Sequence, residues 1–363
     1  MIRDLQRIGS ALRQDLSTLL DADACGGLSL RTAIAAVVAI LLACALNLDE
    51  PAWAGITTVG ITQIRLRATF VRALDRALGT IVGAVVGFIA AGFIDDHAVM
   101  TVVLVAGSAF TIYGQERSDH SYALLLGGVT MMLVLFGSLA DPTASVDLAV
   151  YRVLEVLLGI AVSTAFEWSF ADRQPGDQST KSTLPGVWAR PVDRELLALA
   201  LTGGLAIAAI PIVWTAFNLP GLSQTPITAF VIVTAWHGNP VLKALGRMVG
   251  CIGGGLFGLL ALRLAGDMLL WWAVLLLFGL YASARVKNTP NDASYAGHQA
   301  AIAIILSLVQ GARPPADILP ALDRLLGIFG GILIVAAFQF TLTPVVTKAL
   351  AWLDGREPTA PSR

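Results

Sequence analysis

Apolar residues fill long, nearly unbroken runs along this chain, and polar residues gather between the runs. About twelve runs reach or approach the length of roughly twenty residues that an α-helix needs to cross a bilayer. The predicted spans are 30–48, 51–64, 77–94, 98–114, 121–139, 148–169, 196–217, 222–237, 246–265, 268–284, 296–311 and 320–346. The pattern therefore predicts an all-α polytopic membrane protein.

The first 28 residues follow a different pattern. Apolar residues from Ile2 to Leu19 recur every three or four positions, with charged residues between them, until Gly26-Gly27 ends the pattern. This spacing predicts an amphipathic helix at the cytoplasmic face. Two interpretations are open: a helix that lies on the membrane surface, or one packed on the body of the protein. The segment lacks the apolar core of a signal peptide.

Composition supports the membrane assignment. The 363 residues are 56% hydrophobic and only 13% charged, with a mean hydropathy of +0.75, whereas a soluble domain carries more charge. The net charge of −1 gives no indication of a nucleic-acid partner. The three cysteines are scattered, so they predict neither a disulfide framework nor a metal site.

The distribution of basic residues predicts the orientation. If the N-terminus is cytoplasmic, all but four of the 24 basic residues fall at the cytoplasmic face, and the opposite loops are mainly acidic. Basic residues resist translocation, which favours this topology. Both termini are therefore predicted to be cytoplasmic.

Two segments resemble each other at an offset of about 171 residues. RALDRALGTIVGAVVGFIAA at 72–91 aligns with KALGRMVGCIGGGLFGLLAL at 243–262. A reduced form of their opening, a basic residue with Leu two positions later and Gly seven positions later, begins at Arg72, Lys243, Arg152 and Arg324. The first two sites open their spans from the cytoplasmic side, and the other two open theirs from outside. The glycines let each helix approach its neighbours closely.

These repeats predict the domain organisation. The chain divides into two parallel six-helix repeats, each an inverted repeat of three plus three spans, and such nested repeats are typical of secondary transporters. The predicted boundaries are 1–28 for the N-terminal helix, 29–170 for the first repeat, 171–194 for a cytoplasmic linker, 195–346 for the second repeat and 347–363 for a cytoplasmic tail.

The second and eighth predicted spans are short and interrupted by Gly or Pro, which points to a substrate site. Thr57 and Thr228 correspond at the repeat offset, and Trp53 offers an aromatic surface. Tyr122 and Tyr295 begin the fifth span of each half within matched Asp-x-Ser-Tyr-Ala motifs. We predict that these five residues bind substrate. The aromatic residues have a second interpretation, as interfacial anchors.

A few polar or ionisable residues lie in or beside the predicted spans, where charge is costly and often functional. Arg152 and Arg324 are predicted to attract an anion, and Gln299 joins the substrate-binding set. Glu155, Asp323 and His298 are predicted to couple transport to protons, since histidine titrates near neutrality. The alternative is local ion pairing, with the long side chains reaching the outer face.

No motif points to an enzyme. The chain lacks a G-x-x-x-x-G-K-[ST] loop, and its GGGLFG run lies within an apolar span. No nucleophile–base constellation or metal-ligand cluster stands out. The sequence therefore predicts neither catalysis, nor a cofactor, nor a bound metal.

The run from Tyr295 to Leu333 carries a more specific signal. It reads Tyr-Ala-Gly-x-Gln, then a loop with Pro314, then Asp-Arg-x-x-Gly-x-x-x-Gly from Asp323 to Gly331. Together with Trp53 and the RALDRALG segment, it resembles the fusaric-acid-resistance (FUSC) family over nearly all of the predicted membrane region.

The resemblance implies an exporter of aromatic carboxylic acids in the bacterial inner membrane, driven by the proton gradient. It also implies a homodimer or a periplasmic membrane-fusion protein as candidate partners, because some relatives use one or the other. The chain departs from larger family members because its linker and tail are too short to hold their cytoplasmic domains.

Three functional hypotheses follow. The first is a proton-coupled exporter of small aromatic or other organic anions that works by alternating access. The second is a passive organic-anion channel, which would use the same basic residues as a selectivity ring and need no acid–base cycle. The third is a membrane scaffold without transport, against which the interrupted spans argue.

Overall fold

The structure is a computed structural model. It describes residues 2–17, 24–63, 66–94, 96–140, 145–170, 192–219, 224–234, 240–266, 268–310 and 319–353. The predicted linker 171–194 and tail 347–363 therefore fall largely outside the described residues.

Thirteen α-helices make up most of the described residues. They are α1 (Ile2–Ser17), α2 (Ala24–Ala45), α3 (Ala52–Ile61), α4 (Leu66–Phe93), α5 (His97–Arg117), α6 (Ser121–Ala140), α7 (Ser145–Ser169), α8 (Arg194–Phe217), α9 (Gln224–Thr234), α10 (Pro240–Ala265), α11 (Leu269–Asn288), α12 (Ser294–Leu308) and α13 (Leu319–Leu353).

The all-helical, polytopic class is confirmed. Each of the twelve predicted spans overlaps one helix from α2 to α13. Nine helices in the described part of the chain are long and apolar enough to cross a membrane, and α3, α9 and α12 are shorter apolar helices. At 1.5 Å per residue, the described parts of α3 and α9 extend about 15 Å, half of the hydrocarbon core.

Helices α4 and α10 extend their predicted spans toward the N-terminus with basic segments. Helix α4 starts at Leu66 instead of 77, and α10 starts at Pro240 instead of 246. Arg, Lys, Ala and Leu all favour helix, so the basic segments continue the helix toward its N-terminus. As a result, Arg76 lies in the third turn of α4, not in a loop.

Helix α1 packs on the body of the protein. It contacts α10 and α11, its Ile8 is 1% exposed, and Asn291 Nδ2 donates to both carboxylate oxygens of Asp15 at 3.1 and 2.9 Å. The packed interpretation therefore describes this helix. Helix α1 is described from Ile2 to Ser17, and Gly26-Gly27 lies in the first turn of α2. The predicted boundary of the N-terminal segment at residue 28 stays a prediction.

The helices form two compact units, and neither unit is a sequence half. Unit 1 comprises residues 1–80, 147–175 and 239–325, and unit 2 comprises residues 81–146, 176–238 and 326–363. Each unit combines the first, second and sixth spans of one half with the third to fifth spans of the other. The boundaries of the two six-helix repeats remain a prediction.

Unit 1 has its core where α2, α3, α11 and α12 meet. Ile40, Ile56, Leu276 and Ile305 lie in this cluster with almost no exposed surface. Helix α10 runs along α12 so closely that a Cβ at Gly254 would collide with the Ala300 carbonyl oxygen. The short helix α3 is thus held between α2 and α12.

Unit 2 is built around α5, which packs against α6, α8 and α9. Helix α4 runs close to α6, since a Cβ at Gly83 would collide with the Gly127 carbonyl oxygen. Phe230 of α9 is fully buried and lies against Gly128 of α6. The short helix α9 is therefore packed into its unit as firmly as α3 is into the other.

Candidate functional site

Helix α3 begins after a proline and ends at a basic contact. Its first residue follows Pro51, which has no amide N–H to satisfy, and its C-terminal cap, Thr62, has an extended backbone. Lys287 Nζ of α11 donates to the Thr62 carbonyl at 2.9 Å. A basic group at a helix C-terminus offsets both the free carbonyls and the helix dipole. The side chain of Lys287 from α11 thus caps the C-terminal end of α3.

The N-terminal end of α3 carries a group that we call the Arg152 cluster: Glu50, Trp53, Arg152 and Glu155. Arg152 Nη2 lies 3.0 Å from Glu50 Oε2, and its Nη1 lies 3.8 Å from Glu155 Oε2. The Arg152 guanidinium also stacks over the Trp53 ring, 4.0 Å from its centroid.

Two further hydrogen bonds connect residues of the Arg152 cluster. The Trp53 indole N–H donates to Glu50 Oε2 at 2.6 Å, and the Glu50 backbone N–H donates to Glu155 Oε1 at the same distance. Glu155 is 1% exposed. Arg152 thus lies against two carboxylates and an aromatic ring. This arrangement is the local ion pairing that the sequence analysis gave as the alternative to anion binding and proton coupling. The roles of Arg152 and Glu155 in binding and coupling remain predictions.

The middle of α3 carries a different arrangement. Thr57 is fully buried and its hydroxyl accepts a hydrogen bond from Arg76 Nη2 at 3.2 Å. Helix α7 lies against the same turn, because a Cβ at Gly159 would collide with the Ala54 carbonyl and come within 2.9 Å of Thr57 Cβ. An arginine from α4 therefore reaches a polar position on the broken span.

Helices α10 and α12 present two more basic contacts. Arg247 Nη1 donates to Gln299 Oε1 at 2.8 Å, and both side chains are buried. One turn earlier on each helix, Lys243 Nζ lies 5.3 Å from the centroid of the Tyr295 ring. The sequence candidates Tyr295 and Gln299 thus both contact basic residues of α10.

His298 lies beside these groups in α12. Its Nδ1 is buried, and no described atom forms a hydrogen bond with it. Lys287, Arg72, Arg76 and Arg247 lie within electrostatic range of the ring.

Unit 2 contains the repeat counterpart of Thr57. Thr228 of α9 is fully buried, and a Cβ at Gly331 of α13 would come within 2.7 Å of the Thr225 carbonyl and 2.8 Å of Thr228 Cβ. This is the contact that Gly159 makes with Ala54 and Thr57 in unit 1. Tyr122, another candidate, begins α6 in unit 2 and is half-buried.

The structure describes some of the remaining candidates less fully. Asp323 lies in the first turns of α13 and is half-buried, whereas the side chain of Arg324 lies outside the described residues. The predicted attraction of an anion by Arg324 stays a prediction.

The candidate residues that the structure describes are divided between the two units. Unit 2 contains Tyr122 and Thr228, and unit 1 contains Trp53, Thr57, Arg152, Glu155, Tyr295, His298, Gln299 and Asp323. Sequence reasoning did not include Glu50, Arg76 or Arg247 among its candidates. The sequence could have indicated two of them, because Arg76 and Arg247 occupy equivalent positions in the two duplicated segments. No group of metal-ligating side chains was found in the part of the chain that the structure describes.

Comparison with known proteins finds a family match in the first half of the chain. Residues 27–190 match the model of the fusaric acid resistance protein family (FUSC). The chain is 28% identical over 137 residues to a Salmonella typhimurium LT2 protein named "Uncharacterized transporter YdhK". That match covers 36% of this chain and 20% of the relative.

Proteins of the same name from Escherichia coli K12 and O157:H7 match with the same identity and coverage. The chain thus spans about a fifth of the length of these curated relatives. No solved structure matches it significantly.

Proposed function

We propose that this chain, whose residues 27–190 match the FUSC family model, is a multi-pass membrane protein of that family and a secondary-active exporter of small organic anions. Aromatic carboxylic acids are the proposed substrate class, and the proton gradient is the proposed driving force. The membrane is the bacterial inner membrane, with both chain termini in the cytoplasm.

One observation carries this proposal: the same close contact occurs at two short helices. Gly159 meets α3 beside Thr57, and Gly331 meets α9 beside Thr228, at the repeat offset of about 171 residues. Short, paired helices of this kind mark the substrate sites of repeat-built transporters, because their ends leave backbone polar groups at membrane depth. In our proposal, the halves are parallel repeats, and α3 and α9 are their corresponding elements.

Residues of α3, α4, α10 and α12 in unit 1 support an anionic, aromatic substrate. Tyr295 supplies a ring for stacking, and Thr57 and Gln299 supply hydrogen-bonding groups, while Arg76 and Arg247 supply positive charge. An aromatic acid combines an apolar ring with one carboxylate, so it matches both features. Trp53 and Tyr122 are further proposed contacts for the ring.

Proton coupling is assigned to Glu155, Asp323 and His298. Glu155 faces Arg152, so protonation of the carboxyl would weaken the Arg152 cluster and release its hold on the start of α3. The buried Nδ1 of His298 forms no hydrogen bond with a described atom. The basic residues around the ring disfavour its protonation, so His298 would accept a proton only when a bound anion offsets their charge. In alternating access, such protonation would return the empty carrier to its starting state.

Flux measurements with purified protein in proteoliposomes test the proposal. Labelled 4-hydroxybenzoate is followed with and without an imposed pH gradient while the membrane potential is clamped. We expect uphill flux that depends on the gradient. Downhill flux that carries current would instead favour an organic-anion channel, and absence of flux for a panel of aromatic acids would contradict the proposed substrate class.

Three substitutions test the coupling residues. Glu155→Gln, Asp323→Asn and His298→Ala are each expected to reduce gradient-driven flux while leaving exchange of substrate across the membrane. Glu195→Gln is the matched control, because Glu195 is exposed in the first turn of α8. Full coupling in all three variants would contradict their role.

A further inference from the structure

Ionisable side chains from other helices bond to the backbone near both ends of the short helix α3. Before its first residue, the Glu155 carboxylate of α7 accepts the Glu50 backbone N–H at 2.6 Å. At its C-terminal cap, the Lys287 ammonium of α11 donates to the Thr62 carbonyl at 2.9 Å. Charge-assisted hydrogen bonds are about twice as strong as neutral ones. Both attachments are therefore strongest when Glu155 has lost its proton and Lys287 has kept its own.

Helix α7 follows α3 from one end to the other with a single row of residues. Members of this row lie four positions apart in α7, and they are Glu155, Gly159, Ser163 and Glu167. The Gly159 carbonyl accepts from the Thr58 hydroxyl at 3.1 Å, and the hydroxyls of Ser163 and Thr62 lie 3.1 Å apart. Glu167 lies one turn beyond Ser163, and it is 6% exposed. The row thus has a buried carboxylate at each end of α3.

Glu167 is the acidic neighbour of Lys287. The two side chains interact electrostatically, and Arg31 of α2 acts on the same carboxylate. Lys287 also interacts with Arg72 of α4 and with His298 of α12. Lys287 itself is half-buried, so water can reach part of the side chain. The ammonium therefore lies between a carboxylate that stabilises its charge and basic groups that oppose it.

The two ends of α3 have opposite chemistry. At the N-terminal end the bonding group is the acid Glu155, and Arg152 Nη1 lies 3.8 Å from its Oε2. The other charged neighbours of this acid are Asp49 and Glu50. At the C-terminal end the bonding group is the base Lys287, and its acidic neighbour is Glu167. Added protons therefore weaken the first attachment, whereas loss of protons weakens the second.

We propose that Lys287 and Glu167 form a second proton-binding site of the carrier, at the cytoplasmic end of α3. A proton passes from the Lys287 ammonium to cytoplasmic water, and the electron pair stays on the nitrogen. The neutral amine then bonds more weakly to the Thr62 carbonyl, so the C-terminal end of α3 loosens. Rebinding of a proton restores the bond, and Glu167 stabilises the charged form. This inference rests on the proposed function, since proton-driven export requires a site that exchanges protons with the cytoplasm.

Hydrogen exchange of the α3 amides tests the site without transport. The purified full chain in proteoliposomes is measured in mildly acidic and mildly alkaline buffer, and each rate is divided by the intrinsic exchange rate at that pH. In the wild type, we expect the last turn of α3 to exchange about fivefold faster in alkaline buffer, because a charge-assisted bond has become a neutral one. Lys287→Arg should lack this response, since arginine keeps its charge. Lys348→Arg is the matched control, because Lys348 is exposed on α13.

Gradient-driven flux separates proton exchange from simple capping. Arginine can donate to the Thr62 carbonyl but cannot give up its proton, so Lys287→Arg is expected to lose gradient-driven flux of 4-hydroxybenzoate while substrate exchange without a gradient continues. Full coupling in this variant would overturn the proposal, because Lys287 would then act only as a cap. Glu167→Gln should move the alkaline response to lower pH, since no carboxylate then stabilises the ammonium. An unchanged response would overturn the pairing.

The two measurements also separate this inference from the proposed function. An alkaline response in a wild type that transports no aromatic acid would support the site and reject the substrate class. Gradient-driven flux in a wild type without the response would overturn the site and leave export standing, and absence of both would overturn both. Gel filtration and the thermal midpoint identify variants that have lost the native structure. If Lys287→Arg fails these checks, the wild type and Glu167→Gln decide the outcome.

Discussion

The two units share a packing contact but differ in what they bury. Both place a glycine against a short helix beside a fully buried threonine. However, every buried charged side chain among the described residues lies in unit 1, and the buried polar side chains of unit 2 are neutral. The charged set is Asp15, Asp75, Arg76, Arg152, Glu155, Glu167, Arg247 and Arg285.

The shared glycine contact and the buried charges have different physical requirements. A glycine contact requires only that two backbones approach, so it suits either unit. Buried charge costs free energy and persists where it has a function or a well-formed partner network. If the two sequence halves are repeats, both have kept the glycine contact at the short helix. Buried charged side chains, in contrast, occur only in unit 1 among the described residues.

The largest expected effect on stability comes from removing a buried charge in unit 1. Arg152→Leu leaves Glu155 buried without its basic neighbour, and breaking a buried pair in this way typically costs about 3 kcal/mol. The free energy of unfolding in mixed micelles measures the loss. Arg263→Leu is the control, because Arg263 is exposed on α10. Equal losses in both variants would show that burial of charge in unit 1 has no special weight.

The shared framework is tested by two glycines. Gly159→Ala and Gly331→Ala each force a methyl group against a neighbouring backbone carbonyl, and overpacking of this kind costs about 1–3 kcal/mol. The two losses are expected to be similar. Gly253→Ala is the control, since nothing lies within 4 Å of a Cβ there. A loss at only one of the two sites would break the likeness of the units.

A matched pair of glutamines separates stability from function. Gln299 in unit 1 and Gln339 in unit 2 are both 3% exposed. Gln339 donates to the Leu199 carbonyl at 3.3 Å, whereas Gln299 accepts from Arg247. Replacement of Gln339 by Leu removes hydrogen bonds to Leu199 and Thr343 that are worth about 1 kcal/mol each. Replacement of Gln299 by Leu removes a hydrogen bond to a charged group that is worth about 1.5–3 kcal/mol. We expect flux of 4-hydroxybenzoate to fall in Gln299→Leu alone, and equal flux in both variants would contradict a role for Gln299 in binding.

The smallest effect is expected at α1. Asp15→Ala removes the bonds from Asn291 and should weaken the attachment of α1 by about 1 kcal/mol or less. Hydrogen exchange of the α1 amides should then speed up while that of α3 stays unchanged. Ser10→Ala is the control, because the Ser10 hydroxyl bonds only within its own helix. Unchanged exchange in α1 would mean that Asp15 does not hold the helix.

Much of the fold could be predicted from the sequence, because hydropathy marks apolar helices directly. Every predicted span matches a helix, and the short second and eighth spans are α3 and α9. The composition of the two units could not be predicted, since it depends on pairings such as α2 with α11 and α3 with α12. The position of α1 was open for the same reason: an apolar face looks alike whether lipid or protein covers it.

The site was predicted in part. Thr57, Tyr295 and Gln299 were candidates and lie among basic residues of unit 1. Arg76 was missed because hydropathy placed it before the third span, where a charge is ordinary, whereas the helix includes it and buries it. Hydropathy averages over a window and cannot show which charged side chain turns inward.

The interleaving of the two units has a consequence for biosynthesis. Helix α3 needs α12 to complete its packing, yet α12 begins at Ser294, more than 230 residues after α3 ends at Ile61. At roughly 5–20 residues per second, a ribosome takes on the order of 10–50 seconds to cover that distance. During that interval the early helices must rest against lipid or the insertion machinery. Maturation is therefore sensitive to translational pausing late in the message, long after the first half has entered the bilayer.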